Sequence, residues 1–188
     1  MISVISIFVL ALLALFVLAV LTIVILMILA AIFTKAPFVP VGRTILPQII
    51  QALDIKPDSK VYDLGCGDSR VLIAAWRGQP RARYFGLDKD WLPVICSRLR
   101  IFLVGGPRNI TVIKRDFFKY DLSPATHVFI YLFPKLMDQL LPKLQAELKS
   151  GAKIVACDFC FSDKKPAQVI DLGRPQKSLG KKLFVYEF

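Results

Sequence analysis

Hydrophobic and polar positions divide the chain into two parts with different patterns. Residues 1–34 contain no charged residue, no glycine and no proline. A transmembrane helix needs about 20 consecutive apolar residues, so this run is long enough to cross a bilayer. A cleavable signal peptide, the alternative, would need a basic start and an apolar core of only about 7–15 residues. The pattern therefore predicts a permanent transmembrane anchor at residues 1–34.

Beyond the anchor, short apolar runs alternate with helical patterns. The runs predict strands at 60–64, 83–87, 109–114, 127–132, 152–157, 168–171 and 182–187. Helices are predicted at 43–53, 69–77, 91–103 and 134–149, the last one broken near Pro142. Such alternation is typical of an α/β domain with a doubly wound sheet, which binds ligands at the carboxyl ends of its strands. We predict a linker and N-terminal helix at 35–58 and one α/β domain at 59–188.

The first predicted strand leads into a glycine-rich turn, in which residues 63–68 are DLGCGD. Gly65 allows a sharp exit from the strand, and Gly67 leaves bare backbone for a ligand at a helix N-terminus. A dinucleotide site would place a third glycine where Arg70 stands, and a bulky arginine does not suit that position. The Asp63 carboxylate suits the cationic methionine end of S-adenosylmethionine, whereas it would repel a pyrophosphate. The turn thus favours S-adenosylmethionine, with an ordinary glycine-rich loop as the alternative.

Three further carboxylates follow the strands of this half of the domain. Asp88 ends the second strand about 20 residues beyond the turn, where a carboxylate binds ribose hydroxyls. Asp116 follows the third strand and suits an adenine, accepting from its exocyclic amine while Phe117 packs on the ring. Asp68 begins the next helix, where an acid also caps the turn and complements the helix dipole. Its role therefore stays open between cofactor binding and capping.

The end of the fourth predicted strand carries the candidate acceptor site. We predict that Tyr131, Phe133 and Pro134 form an aromatic slot for an aliphatic amine, although Tyr131 and Phe133 could also be core residues. DNA amino methyltransferases have Asn/Asp-Pro-Pro-aromatic at this point, and methylation of a pyrimidine carbon needs Pro-Cys; the chain lacks both. Desolvation beside a sulfonium lowers the pKa of an amine, so we assign no general base. His127 begins the same strand, at the opposite end of the sheet, and is not expected to be catalytic.

The charge of the chain belongs entirely to residues 35–188. They hold all 25 Lys and Arg and all 14 Asp and Glu, which gives a net charge of +11. This excess suits an anionic lipid surface. Nucleic acid is a competing partner, less expected for a tethered domain, and a solvated basic surface is a third interpretation. Because Lys35 and Arg43 flank the apolar run only on its C-terminal side, the positive-inside rule places the domain in the cytoplasm, or in a matrix if the membrane is mitochondrial.

The four cysteines fit a reducing compartment. Cys157 and Cys160 have the spacing of a metal-binding pair, but there is no second pair, and His127 is the only histidine. A tetrahedral zinc site needs four ligands. We therefore predict core or strand-end thiols and no metal.

Together these features resemble a known family. An apolar span, PFVP at 37–40, DLGxGDxR at 63–70 and the Tyr-Leu-x-Pro element at 131–134 resemble the mitochondrial lysine methyltransferases of the ADP/ATP carrier and of the ATP synthase c-subunit, with their prokaryotic relatives. The resemblance covers nearly the whole chain. It implies a Rossmann-like, seven-strand methyltransferase fold of the α/β class, with an N-terminal transmembrane helix, that transfers methyl from S-adenosylmethionine to a lysine of a membrane protein. The implied cofactor contacts are Asp63, Gly65, Gly67, Asp68, Asp88 and Asp116.

The chain departs from the family pattern at two positions. Ser69 stands where these proteins commonly have a third glycine, and Asp88 replaces a glutamate. Because no presequence is evident, a prokaryotic plasma membrane is expected rather than a mitochondrion. Two alternatives stay open: methylation of a lipid or other amphiphile, and a cofactor-binding membrane scaffold without catalysis.

Overall fold

The structure is a computed structural model that describes residues 4–33, 39–175 and 178–188, without the side chains of residues 4–6 and 30–33. It divides into two compact units, with the boundary between residues 38 and 39. The predictions that involve Lys35 and residues 37–38 of the linker lie outside the described residues. The boundaries 1–34, 35–58 and 59–188 stay predictions.

The first unit is described as helix α1 (Val4–Phe33). Its segment Ile7–Leu29 has 23 residues and is long and apolar enough to cross a membrane. At about 1.5 Å per residue it exceeds the roughly 30 Å hydrocarbon thickness of a bilayer. The Thr22 hydroxyl donates to the Leu18 carbonyl at 2.8 Å, so this polar group is bonded within the helix. The helix is confirmed, whereas its insertion in a membrane stays a prediction.

The second unit is built on a seven-stranded sheet, as predicted. The strands are β1 (Lys60–Leu64), β2 (Arg83–Asp88), β3 (Ile110–Lys114), β4 (His127–Ile130), β5 (Lys153–Cys157), β6 (Gln168–Asp171) and β7 (Lys182–Glu187). Their order is β3-β2-β1-β4-β5-β7-β6. Strands β1 to β5 pair in parallel, and β7 is antiparallel to both β5 and β6. The order reverses between β1 and β4, which places the binding crevice at their carboxyl ends.

Helices cover both faces of the sheet because successive strand residues point to opposite sides. The helices of this unit are α2 (Leu46–Leu53), α3 (Arg70–Gly78), α4 (Trp91–Leu103) and α5 (Pro134–Glu147). On one face, α3 and α4 bury apolar side chains such as Leu72 and Val94 against β2 and β3, and α2 packs against β4, β5 and β7. On the other face, α5 buries Met137, Leu140 and Leu144. Each such side chain stabilises the fold by about 1.5–3 kcal/mol.

The structure corrects three details of the predicted elements. Helix 43–53 begins as a 3-10 turn, Arg43–Ile45, before α2. Strand β4 ends at Ile130, so Tyr131 lies in the connection to α5. The break predicted near Pro142 is wrong, because α5 continues through this residue. The proline lies on the exposed face, where water can bind the carbonyl that loses its helical partner, and buried residues before and after it hold the helix to the sheet.

Candidate active site

The carboxyl ends of β1 and β2 are joined through the glycine turn. The Gly65 amide donates to the Leu87 carbonyl at 2.8 Å, and the Gly67 amide donates to Oδ2 of Asp88 at 3.2 Å. Both glycines have a positive φ, +78° and +54°, which other residues rarely adopt. The structure therefore brings Gly65, Gly67 and Asp88 to one crevice, as the sequence predicts.

Asp63 lies two residues before Gly65 and is buried, with only 3% of the residue exposed. Burial, together with the nearby carboxylates of Asp88 and Asp68, raises its pKa to about 8. In the described part of the chain, no residue donates a hydrogen bond to the Asp63 carboxylate. A buried acid without a donor is costly when ionised, and a cationic ligand would stabilise it.

Asp88 is half-buried and positioned by the backbone. Its two oxygens accept from the amides of Gly67 and Asp90, the latter at 3.1 Å. Burial raises the pKa of Asp88 even though these hydrogen bonds oppose the shift. Each oxygen keeps acceptor capacity, because a carboxylate can accept about four hydrogen bonds. The side chain is thus fixed in place and still able to accept from a hydroxyl.

Asp68 differs from the other two acids because arginines neutralise it. It forms ion pairs with Arg70, at 2.7 Å, and with Arg100 of α4. Burial alone would raise the pKa of Asp68, but the hydrogen bonds and charge of Arg70, together with Arg100, bring it below its ordinary value. Its Oδ1 also accepts from the Arg70 amide at 3.3 Å, in the manner of a cap. This geometry supports the capping alternative, and a cofactor contact at Asp68 stays a prediction.

Ser69 has a backbone conformation that favours glycine. Its φ is +55°, in the left-handed region, which costs a non-glycine residue about 1–2 kcal/mol. The side chain is fully buried and is hydrogen-bonded to the hydroxyl of Ser97 on α4. A buried hydrogen bond contributes about 0.5–1.5 kcal/mol and so offsets much of the backbone cost. At this position the serine lacks the backbone freedom of a glycine but gains a side-chain hydrogen bond to α4.

Asp116 and Phe117 lie beyond β3, next to the Asp88 strand end. The Arg115 amide donates to the Asp88 carbonyl at 2.9 Å, which joins the two strand ends. Asp116 begins a 3-10 turn and accepts from the Phe118 amide at 3.0 Å. Both predicted adenine contacts are half-buried. Their part in adenine binding stays a prediction.

Three aromatic rings meet at the ends of β4 and β5. The Phe159 ring centroid lies 6.5 Å from that of Tyr131 and 6.1 Å from that of Phe133. Tyr131 is half-buried, whereas Phe133 is 44% exposed, so neither ring is a fully buried core residue. Pro134 follows as the first residue of α5. These three rings and Pro134 are called the aromatic slot below.

The aromatic slot adjoins the glycine turn. A Cβ built on Gly65 would lie 3.4 Å from Cδ2 of Leu132, the residue between Tyr131 and Phe133. His127, by contrast, is the first residue of β4 and pairs with Val61 near the start of β1. It therefore lies at the opposite edge of the sheet, as the sequence predicts.

Two residues of this region, Asp158 and Phe159, were not predicted. The Asp158 carboxylate accepts from the amides of Gly180 and Lys181, each at 2.6 Å, and from the Tyr131 hydroxyl at 3.4 Å. Burial, with Asp158 nearby, raises the pKa of Tyr131, which therefore stays a neutral donor. The signal was present, since an acid and an aromatic residue directly follow the fifth apolar strand.

The cysteines divide between interior and surface. Cys66 and Cys157 are buried, whereas Cys96 and Cys160 are exposed. Burial raises the pKa of Cys66, and the carboxylates of Asp63 and Asp88 add to this. Its thiol is therefore inert packing in the turn.

The chain is similar to known methyltransferases. Residues 63–168 match the family model of the ANTKMT methyltransferase domain. A protein-lysine N-methyltransferase of Saccharolobus islandicus (strain REY15A) is 31% identical over 140 residues, which cover 71% of this chain and 83% of that protein. The chain belongs to the ANTKMT methyltransferase domain family.

Further relatives of this family member differ in length and in acceptor. The adenine nucleotide translocase lysine N-methyltransferase of Mus musculus is 30% identical over 140 residues, or 74% of this chain, which spans only 60% of that relative. The crystal structure of an RNA methyltransferase from Salinibacter ruber, in complex with S-adenosyl-L-homocysteine, is 28% identical with a TM-score of 0.73 and covers 79% of this chain and 93% of that one. The chain has the Rossmann-like seven-strand fold of this α/β class and is an S-adenosylmethionine-dependent methyltransferase.

Proposed function

We propose that this methyltransferase is membrane-anchored and acts on a lysine of a membrane protein. The observation that carries the proposal is the aromatic slot, which opens beside the glycine turn and offers rings to an aliphatic amine. Lysine as the acceptor is supported by the names of the Saccharolobus and Mus relatives, which are both lysine N-methyltransferases. A membrane protein as the substrate is supported by the apolar helix α1.

The acidic residues fit the cofactor. The buried Asp63 would hold the cationic methionine end, Asp88 the ribose, and Asp116 with Phe117 the adenine, while Gly65 and Gly67 leave room for close backbone approach. S-adenosylmethionine supplies a methyl group activated by a sulfonium. A cation near Asp63 would compensate the charge that burial now penalises.

The aromatic slot would prepare the acceptor amine. Lysine has an ordinary pKa of about 10.4 and must be neutral to act as a nucleophile. Aromatic rings that displace water from the lysine disfavour its charged ammonium form. The faces of the same rings attract a lysine that is still charged while it enters the slot. The Tyr131 hydroxyl donates to Asp158, which fixes the ring and leaves the hydroxyl unable to act as a base. We therefore propose that Tyr131, Phe133, Phe159 and Pro134 orient the amine for in-line attack, without a dedicated general base.

The proposed setting is the cytoplasmic face of a prokaryotic plasma membrane. The anchor would be residues 1–34, and the methyltransferase domain would be residues 59–188 after a linker and helix at 35–58. The net charge of +11 supports contact with an anionic lipid surface. The matrix side of the mitochondrial inner membrane is the alternative location.

RNA is the competing acceptor, because the Salinibacter neighbour is an RNA methyltransferase. The basic surface is compatible with it. A lipid or other amphiphile is a further alternative for an enzyme at a membrane. These acceptors can be separated chemically after one labelling reaction.

The test uses the full chain, purified in detergent, and membranes and total RNA from host cells that lack its gene. Labelled methyl is followed into protein, lipid and RNA, and labelled protein is digested for mass spectrometry. We expect the label on lysine side chains of membrane proteins. Label confined to RNA or to the lipid extract would contradict the proposal.

A matched pair of variants tests the aromatic slot. We expect Phe159→Ala to lower kcat/KM for the protein acceptor by about tenfold or more, since it removes one ring from the slot. Affinity for S-adenosylmethionine should change little, because Phe159 lies at the β5 end. Cys160→Ala, at the exposed neighbouring position, should behave as wild type. Equal kcat/KM in both variants would exclude the slot as the acceptor site.

A further inference from the structure

Helix α4 presents a continuous apolar face to solvent. At about 100° per residue, the exposed side chains fall within an arc of about 140°. They are Trp91 (63% exposed), Leu92 (45%), Ile95 (55%), Leu99 (56%), Phe102 (74%) and Leu103 (72%), together with the exposed Cys96. This arc, called the α4 face below, contains no charged residue. Ordinary exposed helix faces are polar, and a continuous apolar face marks a binding surface.

The other side of α4 accounts for its packing in the domain. Val94, Ser97 and Ile101 are buried there, opposite the α4 face. The packing of α4 against the domain therefore does not require the residues of the α4 face. The α4 face is therefore available for contact with a partner outside the domain.

Cationic residues border the α4 face. On the helix itself, the exposed Arg98 lies on one flank of the arc and Arg100, which is paired with Asp68, lies on the other, and α4 contains no acidic residue. At its N-terminal end, the Lys114 ammonium lies 4.1 Å from the Trp91 ring centroid. Arg108 and Arg115 are exposed in the neighbouring segments around β3. An apolar strip edged by Lys and Arg, with Trp and Phe among its apolar side chains, is the composition of helices that lie in the interface of anionic membranes.

A second copy of the chain fits this face less well. Packing two such faces together would bring together two cationic domains, each of which carries the whole net charge of +11. An anionic bilayer surface, by contrast, offers both apolar chains and negative charge.

We propose that the α4 face is a membrane-contact surface that lies in the interface of an anionic bilayer. α4 connects β2 to the edge strand β3 and, as a crossover helix, runs antiparallel to them. With α4 flat on the membrane, the strands lie along the bilayer and the binding crevice opens along its surface. The inference rests on the proposed membrane anchoring, and not on which acceptor is methylated.

The test uses the two tryptophans of the chain as depth reporters. Trp91 lies in the α4 face, and Trp76 is half-buried on α3. Full-length Trp76→Phe and Trp91→Phe variants are reconstituted in phosphatidylcholine–phosphatidylglycerol vesicles with or without lipids brominated in the upper acyl chain. We expect brominated lipid to lower the emission of Trp91 about twofold, since interfacial helices insert about 5–10 Å, and to leave that of Trp76 nearly unchanged.

Substitutions of matched chemistry test whether the α4 face itself is inserted. In the Trp76→Phe background, Leu99→Glu should reduce the quenching of Trp91 markedly. Val169→Glu, at an equally exposed position on the opposite edge strand β6, should not.

Equal quenching of the two tryptophans, or of the two glutamate variants, would overturn the proposal. So would an unquenched Trp91 with efficient Cys96 cross-linking between copies, which would assign the face to a dimer. Methyl transfer to RNA or lipid would refute the proposed acceptor and leave these expectations unchanged.

Discussion

At the residue scale, we expect Asp63 to couple protonation to cofactor binding. Its folded pKa of about 8 lies above the ordinary value of 3.8. The folded domain therefore binds a proton that the unfolded chain has released between about pH 4 and 8. It follows that the stability contributed by neutral Asp63 is complete below about pH 4 and is lost as the pH rises towards 8. A cation bound beside Asp63 would reverse this preference for the neutral acid and favour the ionised carboxylate.

We predict that binding of S-adenosylmethionine at pH 7 releases a proton from Asp63. Asp63→Asn should remove this release and weaken binding by roughly 10- to 100-fold, the effect of losing a charged hydrogen-bond partner. The same variant should make the ligand-free domain more stable at pH 8, because it removes a buried ionisable group. Calorimetry in buffers of different ionisation enthalpy measures both the proton release and the affinity.

Asp171→Asn provides the control for this change, since Asp171 is exposed on the edge strand β6, four strands away from β1 in the sheet. It should leave proton release and affinity unaltered. If Asp63→Asn bound the cofactor as tightly as Asp171→Asn, Asp63 would not be a cofactor contact.

The residues that the sequence could predict are those set by strand ends. Asp63, Asp88 and Asp116 end or follow apolar runs, and the carboxyl ends of parallel strands meet at one edge of a sheet. The ion pair of Asp68 with Arg100 was not predictable, because the partners are 32 residues apart and meet only through the packing of α4. The same holds for Asp158, whose amide donors belong to the residues that lead into β7.

At the element scale, strands were easier to predict than helix interiors. All seven predicted strands lie within about two residues of the observed ends. A continuous apolar run identifies the buried parallel strands among them, β1 to β5. The error at Pro142 arose from a local rule. A proline removes one helical hydrogen bond, but the tertiary contacts of Met137, Leu140 and Leu144 outweigh that loss.

Contact between β2 and the glycine turn leads to a stability prediction. A Cβ on Gly86 would lie 2.8 Å from Sγ of Cys66 and 2.9 Å from Cδ1 of Leu72. Gly86→Ala should therefore overpack this contact and destabilise the domain by about 1–3 kcal/mol. Because Cys66 lies between Gly65 and Gly67, the affinity for S-adenosylmethionine should fall as well. Urea unfolding and calorimetry measure the two effects.

Gly78→Ala is the matched control. Gly78 is the last residue of α3, and its Cβ would make an ordinary contact, 3.4 Å from Cγ2 of Ile50. Alanine is the better helix former, so this variant should be neutral or slightly more stable. Equal stability of the two variants would show that the turn yields easily to the added methyl group.

At the scale of the whole molecule, the sequence indicated a basic domain but not which face of α4 is exposed. α4 is apolar on nearly all sides, so its sequence alone could not say which face packs on the sheet. The structure resolves this, since Val94, Ser97 and Ile101 take the buried positions. A hydrophobic helix with one face buried and the other exposed is visible only after folding.

The proposed anchor is expected to influence which acceptor is methylated. Deleting residues 1–34 should leave binding of S-adenosylmethionine intact, because Asp63, Gly67 and Asp88 lie within the compact unit that begins at Val39. Methylation of the natural target in membranes should fall by about tenfold or more, since tethering raises the effective concentration of enzyme and acceptor.

A short peptide that contains the target lysine should be methylated equally by both forms. Replacing residues 1–34 with an unrelated apolar helix should restore activity if tethering alone is responsible. Equal activity of the truncated and full-length enzymes on membranes would show that the anchor localises the enzyme without promoting its reaction with this acceptor.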